Sequence, residues 1–101
     1  MSVNHLKKLI VALFAVCIVV TGGCATVPPV QEMSDARQAL QAARAVGAHS
    51  KAPQSYSKAL TYIERAESAL QIGDYYEARR QALNAKDHAL EARSKAMEVG
   101  P

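Results

Sequence analysis

The chain of 101 residues is poor in the groups that most chemistry needs. It has two cysteines and three histidines, and their placing suggests no Ser/His/Asp or Cys/His constellation. No glycine-rich loop that would cradle a phosphate occurs. His49 stands alone in a polar stretch, without a second ligand at metal spacing, so no zinc site is expected. His88 reads as the flank of a helix rather than as a catalyst. With no metal or cofactor suggested, and little room for a pocket in a small alanine-rich domain, the expectation is a non-catalytic protein. Strong charge of one sign is missing too. Twelve Lys and Arg against nine Asp and Glu give a formal charge of +3, which is no warrant for a nucleic-acid partner. Nor is there an apolar run of the about 20 residues that a bilayer-spanning helix needs. The longest, Leu9–Val20, has 12.

That short run organises the N-terminal part of the chain. Residues 1–8 carry Lys7 and Lys8 and no acid, and the run ends at Thr21-Gly22-Gly23-Cys24 without a second basic flank. This is the pattern of a signal peptide rather than of an uncleaved anchor helix. A cysteine after three small residues resembles a bacterial lipobox, with Thr21 where such motifs most often carry Leu. The resemblance implies cleavage between Gly23 and Cys24, an S-diacylglyceryl group on Cys24 and acylation of the new amine. Residues 1–23 are then a lipoprotein signal peptide. Cys17 leaves with it and Cys24 becomes a thioether, so no disulfide is expected. Lys7 and Lys8 leave as well, and the remaining 78 residues carry a formal charge of +1. One acyl chain gives marginal membrane binding, whereas three hold a protein permanently. Ala25 follows the cysteine in place of the Asp that retains such proteins in the inner membrane, which implies sorting to the outer membrane. Residues 24–29 are the lipidated cysteine and a tether that Pro28 and Pro29 keep extended.

The rest, residues 30–101, has helical spacing throughout. Met33, Ala36, Leu40, Ala43 and Val46 recur at three- and four-residue steps, and Gly47 suits a left-handed helix end, which predicts a helix over about 30–46. Residues 48–52 read as a polar turn, and Pro53 suits a first helical position. Tyr56, Ala59, Leu60, Ile63, Ala66 and Leu70 mark one face of a second helix over about 53–72. Gly73 and Asp74 form the turn that follows. Gly73 takes the left-handed cap, Asp74 accepts the next backbone N–H groups, and Glu77 completes a capping box. So short a link makes its two helices antiparallel neighbours. The third helix, over about 74–98, is the most regular: Ala78, Ala82, Ala85, Ala89, Ala92 and Ala96 form a heptad seam. Leu83, Leu90 and Met97 widen the stripe beside it. The column Arg79, Lys86, Arg93 reads as a solvated flank, with an anion- or peptidoglycan-facing surface as the sharper alternative. The fold class expected is thus all-α: a small antiparallel three-helix bundle after a cleaved N-terminal signal helix, with the alanine seam inside it.

Ala52-Pro53, then Ala59-Leu60, Ala66 and Leu70, then Gly73-Asp74-Tyr75 with Ala78-Arg79, resemble a family of small bacterial envelope proteins. That family is an alanine-rich helical domain of unknown function, common on lipoproteins and sometimes found beside a peptidoglycan-binding domain of the outer-membrane-protein-A type. The similarity covers roughly residues 30–98. Gly-Asp-Tyr with following alanines also recurs in tetratricopeptide repeats, but the last two helices exceed the length of that 34-residue unit.

The resulting expectation is an outer-membrane lipoprotein, held by its acyl chains with the domain facing the periplasm, that acts as a structural or protein-interaction module. Its partners would be the membrane and an envelope protein or peptidoglycan-associated partner. The alternative is a self-associating coiled-coil lipoprotein, a homo-oligomer that spaces outer membrane and peptidoglycan like the major murein lipoprotein. Against it, the sequence closes on Val99-Gly100-Pro101 rather than on a linking lysine.

Overall fold

The computed structural model describes residues 3–21 and 27–100. All regular structure among them is helical: α1 (Val3–Thr21), α2 (Val30–Ala45), α3 (Ala48–Lys51), α4 (Pro53–Gln71) and α5 (Tyr75–Val99). The three helices expected from the periodicity are α2, α4 and α5, each within two residues of the expected ends. The polar turn expected over 48–52 is instead a helical turn whose alanines belong to the core. Ala48 is fully buried and Ala52 nearly so, both beside Tyr56.

The helix ends follow the residues that make them. Gly47 takes a φ of 79° and donates to the Arg44 carbonyl, closing α2. At the end of α4, Gly73 has a φ of 80°, its N–H donates to Leu70 O, and the Asp74 N–H reaches back to Ala69 O. This pair of bonds satisfies two carbonyls that α4 leaves open and turns the chain sharply. Asp74 then caps α5, its Oδ1 accepting from the Glu77 N–H at 3.1 Å. The reciprocal half of the expected capping box is not made, because Arg80 and Gln81 hold the Glu77 carboxylate.

Packing centres on α5. Its six seam alanines, Ala78 to Ala96, are all buried, and it lies along both α2 and α4, which touch one another much less. Met33 and Ala36 of α2 meet Ile63 and Ala66 of α4 beside Ala82 and Ala85. Further along, Ala43 and Tyr56 meet beside Ala92 and Ala96. The helices therefore run up, down, up, with α5 parallel to α2 and antiparallel to α4. Between these two groups lies a level whose buried residues are all alanine, Ala39, Ala59 and Ala89, one from each helix, with the half-buried Leu40 packed against them. Methyl groups at the contact let the backbones come close, and the layer is correspondingly thin.

A compact three-helix bundle is therefore not what forms. Among the described residues there are five helices, and the molecule is drawn out, with extents of 73 × 31 × 13 Å and a radius of gyration of 21.2 Å. A compact domain of about 100 residues would have a radius near 13 Å. Two features account for the difference. Among the described residues α1 has no substantial contact with another helix, and its apolar side chains from Val3 to Phe14 are exposed. The alanine contacts give the remainder length along the helices rather than girth.

Candidate functional site

The residues that carry the anchoring reading, Gly22, Gly23 and Cys24, lie outside the described residues, as does Ala25. The chain is described again from Val27, and Pro29 is fully buried, its carbonyl accepting from the Met33 N–H at 3.0 Å. The extended segment thus meets the body of the domain at Pro29.

The basic column of α5 is held by acids of α2. Arg79 Nε donates to Glu32 Oε1 at 3.1 Å, and its Nη2 reaches the Val27 carbonyl at 3.4 Å. Lys86 Nζ lies 3.9 Å from Asp35 Oδ2. Only Arg93 has no acid within ion-pair distance among the described residues. Two-thirds of the expected solvated flank is therefore an ion-paired junction between parallel helices. Forty-seven residues separate Glu32 from Arg79, so no local spacing announces the pair.

A second polar cluster joins α4 to α5, and within it only the Glu91–Lys95 pair, four residues apart on α5, is readable from the sequence. Ser55 is buried, and its Oγ donates to Glu91 Oε1 at 3.2 Å. Lys95 Nζ bridges the same two residues, 2.7 Å from Glu91 Oε1 and 3.4 Å from Ser55 Oγ. Lys95 first, then Ser55, hold the Glu91 carboxyl below its ordinary range. His88 stands on the other side of Glu91, its Nδ1 3.5 Å from Oε2 but without hydrogen-bond geometry. Its ring stacks on Tyr62, with centroids 5.1 Å apart and planes 8° from parallel. The cluster contains the residue types of an acyl-transfer site, but the Ser55 hydroxyl is tied to Glu91 and Lys95, and His88 is not its base. It works as a cross-brace between two helices. For Ser55, the hint in the sequence is that it shares a helical face with Ala59 and Ala66.

Beside the His88–Tyr62 stack, Lys58, Arg65, Ser57 and Thr61 line a shallow groove of about 300 Å³ between α4 and α5. Arg65 sits 5.5 Å from the Tyr62 ring centroid. At the far end, Ala45, Val46, Ala96 and Met97 line an apolar groove of about 530 Å³ between α2 and α5. His49, expected to be merely solvated, is exposed and also meets the edge of Tyr56 at 5.5 Å. Tyr56 is held in turn by Arg44, whose Nε donates to its hydroxyl at 2.9 Å. Among the described residues no three His, Cys, Asp or Glu side chains gather where they could hold a metal ion.

At the Gly73-Asp74 turn, Arg80 above all, and then Gln81, hold the Glu77 carboxyl down from 4.5 to about 2. A depressed carboxyl pKa means that the contact is present above the ordinary value and is lost only as pH falls through the lowered one. Carboxyl-carbon NMR of the full chain should therefore show Glu77 titrating near 2. Arg80→Gln should move that midpoint up. An ordinary midpoint in the unaltered chain would mean that the Arg80 bond does not form in solution.

Residues 31–99 match the model of a family described as Domain of unknown function (DUF4398). No curated protein and no solved structure matches the chain. The matched segment runs from the first turn of α2 to the last residue of α5 and takes in the capped Gly73-Asp74 turn, the alanine seam and the α2–α5 ion pairs. Over that whole helical domain, the chain belongs to the DUF4398 family.

Proposed function

We propose that this chain is a lipid-anchored, non-catalytic interaction module of the bacterial envelope, attached at Cys24 and sorted to the outer membrane with its domain facing the periplasm. The observation that carries this reading is Thr21-Gly22-Gly23-Cys24 directly after Leu9–Val20. No described helix is long and apolar enough to cross a membrane, so in this reading the acyl chains carry the attachment. The domain presents elongated helical faces with shallow grooves, a shape suited to contact with another macromolecule rather than to enclosing a substrate. The partner is an envelope protein or a peptidoglycan-associated one, in keeping with the envelope proteins that the sequence resembles.

Cys24→Ser tests the anchor. The unaltered protein should carry the mass of the attached lipid, begin at Cys24, and fractionate with outer-membrane markers. The variant should accumulate as the uncleaved precursor without lipid. A mature N-terminus elsewhere, with Cys24 a free thiol, would overturn the reading, and recovery with inner-membrane markers would overturn the sorting that Ala25 implies.

A further inference from the structure

α5 carries two stripes of seven-residue period, and only one is filled. The alanine seam is covered by α2 and α4. The other stripe, Tyr76, Leu83, Leu90 and Met97, repeats at seven-residue steps along α5 and stands open, at 77, 47, 44 and 59% exposure. It spans 22 residues, about 30 Å of helix. At its C-terminal end Met97 continues into the apolar groove with Ala45 and Val46 of α2. A straight helix drifts by about 20° per heptad, so a strict seven-residue ridge keeps to one line only against a partner helix that coils around it.

We propose that this ridge pairs in parallel with the same ridge of a second copy of the chain. In a parallel pair, Leu83 meets Leu83, Leu90 meets Leu90, and Tyr76 and Met97 close the two ends. The flanks decide the direction. On one side of the ridge lie Arg79, Lys86 and Arg93, three residues after each ridge position, and on the other lie Arg80, Asp87 and Ser94, four residues after. A twofold axis along the helices sets each flank against the opposite flank of the other copy. Lys86 then meets Asp87 twice, and Arg93 meets Ser94. Arg79 and Arg80 also meet, but Glu32 and Glu77 already neutralise them within each chain. An antiparallel pair would set each flank against itself, with Lys86 facing Lys86 and Asp87 facing Asp87, and would lose both Lys86–Asp87 contacts. The parallel pair has a further consequence. Because α2 runs alongside α5 in the same direction, both chains enter their domains at the same end, and both Cys24 tethers reach one membrane.

The inference deepens the interaction reading by naming the partner of α5, and it does not depend on lipidation. Its test is sedimentation equilibrium of the full chain in density-matched detergent micelles. The unaltered chain should be a dimer. Leu83→Glu with Leu90→Glu should weaken association by about 100-fold or more, because four carboxylates would be buried unpaired. The helical circular dichroism of the double variant should be unchanged, since both positions are exposed in the single chain. Cys24→Ser should remain dimeric, which separates this interface from the anchor. Carbodiimide coupling in a mixture of isotope-labelled and unlabelled chains should join Lys86 of one copy to Asp87 of the other. The proposal is overturned by a monomer at every concentration, by a dimer that survives the double variant, or by one that vanishes with Cys24→Ser alone. Lys95–Glu77 coupling between copies would mark an antiparallel pair and overturn the register.

Discussion

Ala89→Leu is expected to destabilise the domain by about 1–3 kcal/mol, the usual cost of overpacking a filled site. Ala89 is fully buried against Ala39 and Ala59, with the half-buried Leu40 packed at the edge of the same level. Three extra heavy atoms find no room there, because the two facing side chains are methyl groups on helix backbones with no rotamer to change, and Leu40 is already packed against them. The cost can be met only by moving a helix, which would pull Ser55 away from Glu91 and Tyr62 away from His88. A domain of this size has only about 3–5 kcal/mol from its core. At about 4–8 °C per kcal/mol, the thermal midpoint of the full chain in detergent should fall by about 5–20 °C. Arg93→Gln, which touches no acid, should change stability by less than about 0.5 kcal/mol. If Ala89→Leu melted with the unaltered chain, the close approach at this level would be wrong.

The opposite error, too little volume, should cost more. Met33 is 2% exposed and, with Ile63, supplies the bulk among the buried members of a group whose other buried residues are Ala36, Ala66, Ala82 and Ala85, with the half-buried Leu40 and Tyr62 packed against it. Met33→Ala removes three heavy atoms from a place where four of the buried neighbours are alanines, too short to swing into the space. Large-to-small changes of this kind cost about 2–5 kcal/mol, the upper end where the site cannot collapse. That is comparable with the whole stability of the domain, so the variant should lose its cooperative urea transition. Met33→Leu conserves volume and should cost less than about 1.5 kcal/mol. Equal effects of the two substitutions would show that the residue is not filling a cavity-prone core.

The helices themselves were legible in one dimension. Three- and four-residue steps of Ala, Leu, Ile and Met, with Gly47, Pro53 and Gly73-Asp74 as punctuation, place α2, α4 and α5 to within two residues, because helix ends are set by local backbone chemistry. The seam was legible for the same reason: Ala78 to Ala96 keep one period along one helix, and all are buried. Short-range inference failed where the alternative was a tertiary partner. Ala48 and Ala52 look like parts of a polar turn, since His49, Ser50 and Lys51 stand between them, and only their packing beside Tyr56 makes them core.

By itself, then, the sequence determined the helical class, the helix limits, the capped turn, the inward face of α5 and the membership of residues 31–99 in the DUF4398 family. The tertiary structure alone decided which faces were left over. Periodicity shows that a side chain lies on a given side of its own helix, but not how wide the neighbouring helices are. Because alanine interfaces bring backbones together in a thin layer, α2 and α4 cover the seam without reaching Leu83, Leu90 and Met97. Those residues stay exposed rather than widening the core. The same parallel approach of α2 to α5 brings Glu32 and Asp35 to Arg79 and Lys86. Both results depend on the distance and direction between helices, quantities that no single helix encodes.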